Sequence, residues 1–392
     1  MKDRRPGAII LGGHFLGLGA ARMLRTAREG IPVWVVDEEV CVAQFSRHVS
    51  GFLRCPPPED EARFLAFLLD VAVGKGLEGW VVFPSTDEFV KVLARNHERL
   101  REHYVLITPP WESAQFLYDK RLTHHLALQQ TVPVPETHNP GNLDELAALD
   151  IEYPVVLKPA ITAHLMDVTK KKAYRANDRE ELLATFQMMA GVIDPAEILI
   201  QELIPGRAAN LYSFFGLFKD GEIVTGCSAR RSRQHPMEFG RASTFVETVN
   251  IPELAGLAAQ LLRGIGYSGL AEVEFMYDPK HGRYELLEVN PRIWGWHTIA
   301  SRAGVNLMYL AYAQALGEPV TAGSFRIGVK WVHLLTDIPT AALEIRHGRL
   351  SVPEYLRSMR GSKEFAVLSF SDPLPVIMEL LLVPYYAGRR GF

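Results

Sequence analysis

The chain has 392 residues, 48% of them hydrophobic and 22% charged, with a formal net charge of -3 at pH 7. This balance describes a globular chain of two or three domains, and without a basic excess it gives no reason to expect nucleic acid as a partner. Cys41, Cys55 and Cys227 lie far apart and match no zinc or redox spacing, which points to a reducing, cytoplasmic setting.

The opening "MKDRRPGAIILGGHFLGLGA" has the outline of a secretory leader, but glycines and a histidine stand where such a core is rich in leucine. It reads instead as the start of a folded unit. "AIILGG", "HFLGLGAARMLRTAREG" and "IPVWVVD" are strand, helix and strand. The pattern continues through "EARFLAFLLDVAVGKG", "WVVFPSTDEF", "VKVLARNHERL" and "YVLITPP", so residues 1–110 are expected to form an open α/β domain. Gly13, Gly17 and Gly19, followed by Asp37, resemble a dinucleotide fingerprint, yet the spacing departs from GxGxxG and favours a simple tight turn. His14, Asp87 and Glu88 fall where the strands of this unit end, a usual place for ligands. Asp87 is expected either to meet a substrate amine or, with Ser85 and Thr86, to cap a helix.

From Trp111 the texture changes. "WESAQFLYDKRLTHHLALQQ" has helical character, and its His124 and His125 show no metal-ligand spacing. "VPVPETH" is extended, and "YPVVLKPA" is a buried strand that ends in Lys158. A helix near "DREELLATFQMMAG" and the strand "EILIQELIPG" follow, then an antiparallel pair in "YSFFGLFKDGEIVTGCSA" turning at residues 219–221. "SARRSRQHPMEFGRAS" concentrates arginines between two expected strands, where Arg230, Arg231 and Arg233 read as anion holders. After the helix "AGLAAQLLRGIG", the segments "GLAEVEFMYD" and "RYELLEVN" form a hairpin joined by "PKHG". Residues 111–320 are therefore expected to build α+β lobes.

The stretch "ELLEVNPRIWGW" sets Glu288, Asn290 and Arg292 at alternate positions, on one face of a strand, with Leu287 and Val289 expected to point into packed protein. One reading is a salt-bridged strand end. If the hairpin turns between Asp278 and Arg283, Glu274 joins the same face, and two carboxylates beside an amide oxygen suit magnesium.

The C-terminal portion, 321–392, carries no motif. Its "PVIMELLLVPYYAGRRGF" is too short and too polar to span a bilayer; it reads as a core helix, with a peripheral membrane anchor as the minority reading.

Taken in order, "YPVVLKPA", "ILIQELIPG", "GYSGLAEVEFMYDPKHGRYELLEVNPRIWG" and the preceding α/β unit resemble the ATP-grasp superfamily, of the carboxylate–amine ligase and carbamoyl-phosphate synthase/biotin carboxylase type. The resemblance implies an ATP-grasp fold with two α+β lobes behind an N-terminal open α/β domain. It also implies an enzyme that uses ATP and magnesium, or manganese, to activate a small carboxylate as an acyl phosphate for attack by an amine. By the same resemblance Glu274, Glu288 and Asn290 are the metal ligands. Lys120 and Lys158 meet the nucleotide phosphates; where the sequence departs from the family's glycine-rich loop, Lys172 or Lys170 is the expected phosphate contact, with a solvated basic turn the competing reading. Glu202, Leu203 and Ile204 frame adenine and Arg292 serves catalysis, to which the arginine cluster adds Arg231 as a holder of the triphosphate or the substrate carboxylate. The family's glycine-rich loop after the lysine strand is replaced here by "ITAHLMDVTKKKAYRA". The two-fold assemblies of the family lead us to expect a homodimer. Alternatives are an ATP-dependent carboxylase acting through carboxyphosphate, for which no Met-Lys-Met carrier segment is present, an NAD(P)-binding oxidoreductase built on the glycine turn, and a nucleotide-binding module without catalysis.

Overall fold

A computed structural model describes residues 5–27, 30–206, 210–237, 239–240 and 242–390. The chain begins with β1 (Ala8–Leu11), α1 (Phe15–Arg25), β2 (Val33–Asp37) and β3 (Gly51–Arg54). It continues with α2 (Glu61–Gly74), β4 (Val81–Pro84), α3 (Asp87–Arg95), α4 (His97–Leu100) and β5 (Val105–Leu106). The five strands form a parallel sheet in the order β3-β2-β1-β4-β5. β1 and β4 are buried throughout, as continuous apolar strands covered on both faces must be.

The glycines of α1 serve close packing. A Cβ on Gly17 would lie 2.1 Å from the Gly12 carbonyl oxygen, and one on Gly19 would lie 2.4 Å from Thr298 Cγ2. The Asp37 carboxylate accepts the Gly13 N–H at 2.6 Å and the Glu39 N–H at 3.1 Å, so the turn is tied down by its own chain. The two features that suggested a dinucleotide are both used inside the protein.

A second group of elements comprises α5 (Trp111–Tyr118), α6 (Lys120–Gln129), β6 (Thr137–His138), α7 (Leu143–Ala148) and β7 (Val155–Pro159). α8 (Thr162–Thr169), β8 (Tyr174–Ala176), α9 (Arg179–Ala190) and β9 (Ile198–Glu202) complete it. Its antiparallel sheet has the order β6-β9-β7-β8. The helical stretch that begins at Trp111 breaks at Asp119, whose backbone is extended and whose carboxylate accepts the Arg121 N–H at 2.9 Å to cap α6. This break brings Lys120 to the first turn of a new helix.

The third group holds β10 (Leu211–Lys219), β11 (Glu222–His235), β12 (Ala242–Val249), α10 (Pro252–Arg263), β13 (Gly269–Asp278) and β14 (Arg283–Asn290). Beyond them lie α11 (Ile299–Ala303), α12 (Leu307–Ala315), β15 (Lys330–Val332), α13 (Leu334–Arg346), α14 (Val352–Ser358), β16 (Lys363–Phe365) and α15 (Leu374–Arg390). The sheet order is β14-β13-β10-β11-β12-β15-β16, so the C-terminal portion supplies two strands to the sheet that carries the hairpin. The β10–β11 turn uses Asp220 and Gly221 at φ 52° and 81°, the left-handed pair that a two-residue hairpin requires.

The β13–β14 register pairs Asp278 with Arg283, Glu274 with Glu288 and Glu272 with Asn290. The register shifts next to Glu274, and Phe275 faces Leu286. Leu286 is therefore the core residue, whereas Leu287, expected inside, lies half-buried in the wall of a cleft. A second difference concerns the arginines. β11 runs on to His235, which puts Arg230, Arg231 and Arg233 within a strand rather than between two. Arg233 is not an anion holder: its Nε and Nη2 donate to Asp337 at 2.7 and 2.9 Å, and its guanidinium lies 4.1 Å from the Phe245 ring centroid. Thr244 Oγ1 donates to the same carboxylate at 3.0 Å, so this buried pair fastens α13 to the sheet.

α15 is core on one face only. Inward, Glu379 meets His333 Nε2 at 2.8 Å and Tyr386 donates to the Val40 carbonyl at 3.2 Å; outward, Leu374, Leu380 and Leu381 are exposed. Among the described residues no helix is long and apolar enough to cross a membrane.

Removing one member of the Arg233–Asp337 pair leaves a buried charge alone. Asp337→Ala should cost about 3–5 kcal/mol in urea unfolding, and the double change Arg233→Met with Asp337→Leu should recover most of that loss.

Candidate active site

The hairpin end away from its turn gathers the polar groups. Strand alternation puts Glu272 and Glu274 on one face of β13, and the register brings them beside Asn290 and Glu288. Glu274 Oε1 accepts from Asn290 Nδ2 at 3.0 Å and stands 2.8 Å from Arg231 Nη2. Glu272 accepts from Ser213 Oγ at 2.9 Å and from Asn290 Nδ2 at 3.3 Å, with Arg231 Nη2 3.5 Å away. Arg292 then extends the chain of contacts, donating from Nη2 to Asn290 Oδ1 at 2.8 Å and from Nε to Asp87 Oδ1 at 2.6 Å. Thr86 caps α3 by accepting the Phe89 N–H at 3.3 Å, which leaves the Asp87 carboxylate for Arg292. Next to Arg292, the Ile293 N–H donates to the Pro84 carbonyl at 3.1 Å, so both backbone and side chain tie this segment to the first sheet.

Three lysines face this cluster. Lys120 Nζ lies 3.6 Å from Glu288 Oε2 and donates to Thr162 Oγ1 at 2.8 Å. Lys158 Nζ donates to Gln201 Oε1 at 2.7 Å, and Gln201 donates onward to Thr137 Oγ1 at 2.8 Å. Burial, reinforced by the neighbouring Lys120, pushes the Lys158 ammonium down to about 8. Burial alone would raise the Glu288 carboxyl, but Lys120, Lys172, Lys158 and Arg292 outweigh it and hold this group well below the usual carboxylate range. Glu272 goes the other way, pushed up by burial and by the charge of Glu274. Burial and the adjacent Asp87 likewise raise Glu88. The cluster thus pairs a firmly ionised carboxylate with one that tends to keep its proton.

A cleft of about 400 Å³ opens beside these groups, walled by Asp87, Glu88, Tyr118, Lys120, Thr162, Glu288 and Asn290 among others. A second chamber of about 290 Å³ includes Thr137, Lys158, Gln201, Leu286 and Leu287 in its wall. Lys120 and Thr123 belong to both, so the chambers adjoin. His124 lines the second, and its Nε2 has no hydrogen-bond partner among the described residues. Lys120, Thr123 and His124 stand at i, i+3 and i+4 on α6, the spacing that puts them on one face.

The structure brings together Lys120, Lys158, Arg231, Glu274, Glu288, Asn290 and Arg292. Lys172 acts on this group electrostatically through Glu288. Lys170 ends α8 at φ 58° and donates to the Asp167 carbonyl at 2.9 Å; a helix stands where a glycine-rich loop was the family expectation. Arg230 lies over the Tyr212 ring at 5.8 Å. Glu202 ends β9 in the Lys158 sheet and Leu203 and Ile204 follow it, but neither chamber has them in its wall. The Glu202 and Leu203 amides donate to the carbonyls of Glu136 and Pro154 at 2.9 and 3.2 Å, and Lys280 from the hairpin turn meets Glu202 at 3.3 Å. Sequence reasoning missed Glu272, Ser213, Gln201, Thr162 and Tyr118. Only Glu272 had a signal, since it shares strand parity with Glu274.

The family described as "Carbamoyl-phosphate synthase L chain, ATP binding domain" matches residues 119–322, just over half of the chain. A D-aspartate ligase from Enterococcus faecium is 23% identical over 321 residues, covering 76% of this chain and 74% of that protein. The crystal structure of an L-amino acid ligase from Bacillus licheniformis superposes with a TM-score of 0.60 at 18% identity, covering 81% of this chain and 76% of its own. The biotin carboxylase domain of a 2-oxoglutarate carboxylase from Hydrogenobacter thermophilus, solved with MgADP, ADP and bicarbonate, gives a TM-score of 0.65 at 17% identity over 83% of this chain and 74% of that one. At such identities the solved structures speak for the fold, and the family match speaks for descent: the chain belongs to the carbamoyl-phosphate synthase L chain ATP-binding family of ATP-grasp ligases.

Proposed function

We propose that the protein joins a small carboxylate to an amine through an acyl phosphate, with release of ADP and phosphate. The observation that carries this reading is the contact network of Arg231, Arg292 and Lys120 with Glu274, Glu288 and Asn290, of which Lys120, Glu288 and Asn290 line one cleft and Lys158 its neighbour. The likeness to a D-aspartate ligase along three quarters of both chains supports it.

On this reading Lys120 and Lys158 hold the nucleotide phosphates, with Lys172 approaching from the turn after α8. Glu202, Leu203 and Ile204 frame the base, the amide of the first two being already spent inside the protein. Arg231 and Arg292 face the charge that develops on the transferring phosphoryl group, a role suited to planar, permanently charged forks whose position is fixed beforehand. Glu274, Glu288 and Asn290 would hold magnesium, or manganese in its place. The pairing of Glu274 with Glu288 across the hairpin and the lysines that keep Glu288 ionised support this, while Asn290 Oδ1 would have to exchange its bond from Arg292, and Glu274 its contact with Arg231, for the ion. The ion supplies neutralisation of phosphate charge.

In the first step a carboxylate oxygen of the substrate attacks the terminal phosphorus, and the bond to ADP breaks. In the second, the amine nitrogen attacks the acyl carbon, phosphate leaves, and the nitrogen gives up a proton. The chain contributes alignment and the exclusion of water. Bicarbonate in place of the carboxylate is the second reading, motivated by the fold shared with the bicarbonate-bound relative. The three isolated, buried cysteines support placing this activity in the cytoplasm.

ADP release should require magnesium, a carboxylate and an amine together, and should fall at least about a hundredfold in Glu288→Gln. Turnover with bicarbonate alone would instead favour the carboxylase. Lys158 gives a second prediction. It must carry its proton to attract phosphate, and with the free-enzyme value near 8 the charge is present below that pH and lost above it. Accordingly kcat/KM for ATP should decline by roughly tenfold between pH 7 and 9. Lys158→Arg should flatten that limb in a pH profile, because a guanidinium keeps its charge.

A further inference from the structure

α15 is apolar on both faces: Val376 and Leu382 pack against the core, and a second apolar face points outward. Its inner face includes Glu379, buried against His333, and Tyr386, which meets the Val40 carbonyl and packs edge-on to His14 at 5.1 Å. Its outer face presents Leu374, Ile377, Leu380 and Leu381, exposed by 47%, 51%, 61% and 66%. Residues 374, 377 and 381 follow the i, i+3, i+7 spacing of a single stripe, and Pro384 and Gly388 continue it without a charge. Just before the helix Phe370 is 95% exposed. Scattered exposed leucines need no explanation, but a stripe of them along one helix next to a bare phenylalanine does.

The charges around this stripe point to what covers it. Between residues 366 and 390 the only acids are Asp372 and Glu379, and both are buried. Asp372 is taken by Arg22 Nε at 3.0 Å, by Ser46 Oγ at 2.6 Å and by the Arg47 N–H at 3.1 Å. The cations at this end remain outside: Arg25 and Arg47 are exposed, both act electrostatically on His48, and Arg47 Nη1 reaches the Ser371 carbonyl at 3.3 Å, beside Phe370. Apolar side chains with exposed arginines at the same end match the interface of an anionic bilayer, where the apolar face enters the acyl boundary and the arginines meet headgroup phosphates. α15 is no candidate to cross such a bilayer.

We propose that the outer face of α15, with Phe370, Arg25 and Arg47, docks the protein on the surface of an anionic membrane. The proposal rests on the outward apolar face of this helix and its surroundings, and is independent of the reaction assigned to the cleft. It is tested with the full-length chain by flotation with vesicles of phosphatidylcholine alone or mixed with phosphatidylglycerol. The expected result is flotation with the anionic vesicles and loss of it in the double variant Ile377→Glu, Leu381→Glu. Because both positions are exposed, that variant should keep its thermal midpoint and circular dichroism. Arg25→Glu and Arg47→Glu should each weaken binding by about fivefold or more, and high salt should do the same. Failure of the wild-type chain to float with anionic vesicles overturns the proposal. So does a dimer, seen by light scattering, that the double variant converts to monomer, since a second copy would then cover the stripe.

Discussion

The candidate site depends on one guanidinium held from two sides. Arg292 joins Asp87, at the start of α3 in the first α/β unit, to Asn290 at the end of the hairpin in the large sheet. A buried or half-buried cation must have such partners, and here the partners belong to different parts of the fold. The site therefore exists only when the first unit and the large sheet are correctly seated. The Ile293 to Pro84 backbone bond makes the same connection one residue further on.

Around this link charge is arranged by burial as much as by sign. Arg231 sits against Glu274 and Glu272, and the second carboxylate, deepest and next to the first, is pushed toward its protonated form. Glu288, surrounded by lysines, is driven the opposite way. Lys158, buried and also crowded by Lys120, gives up its proton more readily than a free lysine, so a polyanion entering the cleft would relieve a repulsion already present. The protein holds cations together at a cost that a bound anion offsets, which is how a site is prepared in advance for charge that arrives with the ligand.

Much of this was legible in the sequence because strand parity is strict. The alternation in "EVEF" and "ELLEVNPR" placed Glu274, Glu288, Asn290 and Arg292 on one side, and the turn between Asp278 and Arg283 fixed their register. What parity could not reveal was the irregularity beside Glu274, which moved Leu287 from the core to the cleft wall. Nor could it show that Arg233, two residues from Arg231, would meet Asp337 more than a hundred residues later. The break at Asp119 had only a local signal, an aspartate able to cap, inside a run that otherwise reads as one helix. Gln201 was invisible because its importance comes from contact with Lys158 across the sheet, and Thr137 because it accepts from Gln201 in turn, not from any pattern in their own segments. The outward apolar face of α15 was hidden for a related reason: a leucine-rich helix looks like core until the face that packs is known.

The central claim is that this network stabilises phosphoryl transfer to a carboxylate. Its most direct test is chemical trapping: the carboxylate substrate, ATP and magnesium are incubated without amine but with hydroxylamine, and the acyl hydroxamate is quantified. The account predicts stoichiometric hydroxamate and ADP from the wild-type protein, and a loss of about a hundredfold or more in Arg292→Lys, which keeps the charge but not the fork that spans Asp87 and Asn290. ADP formed without hydroxamate, or equal yields from both proteins, would contradict it.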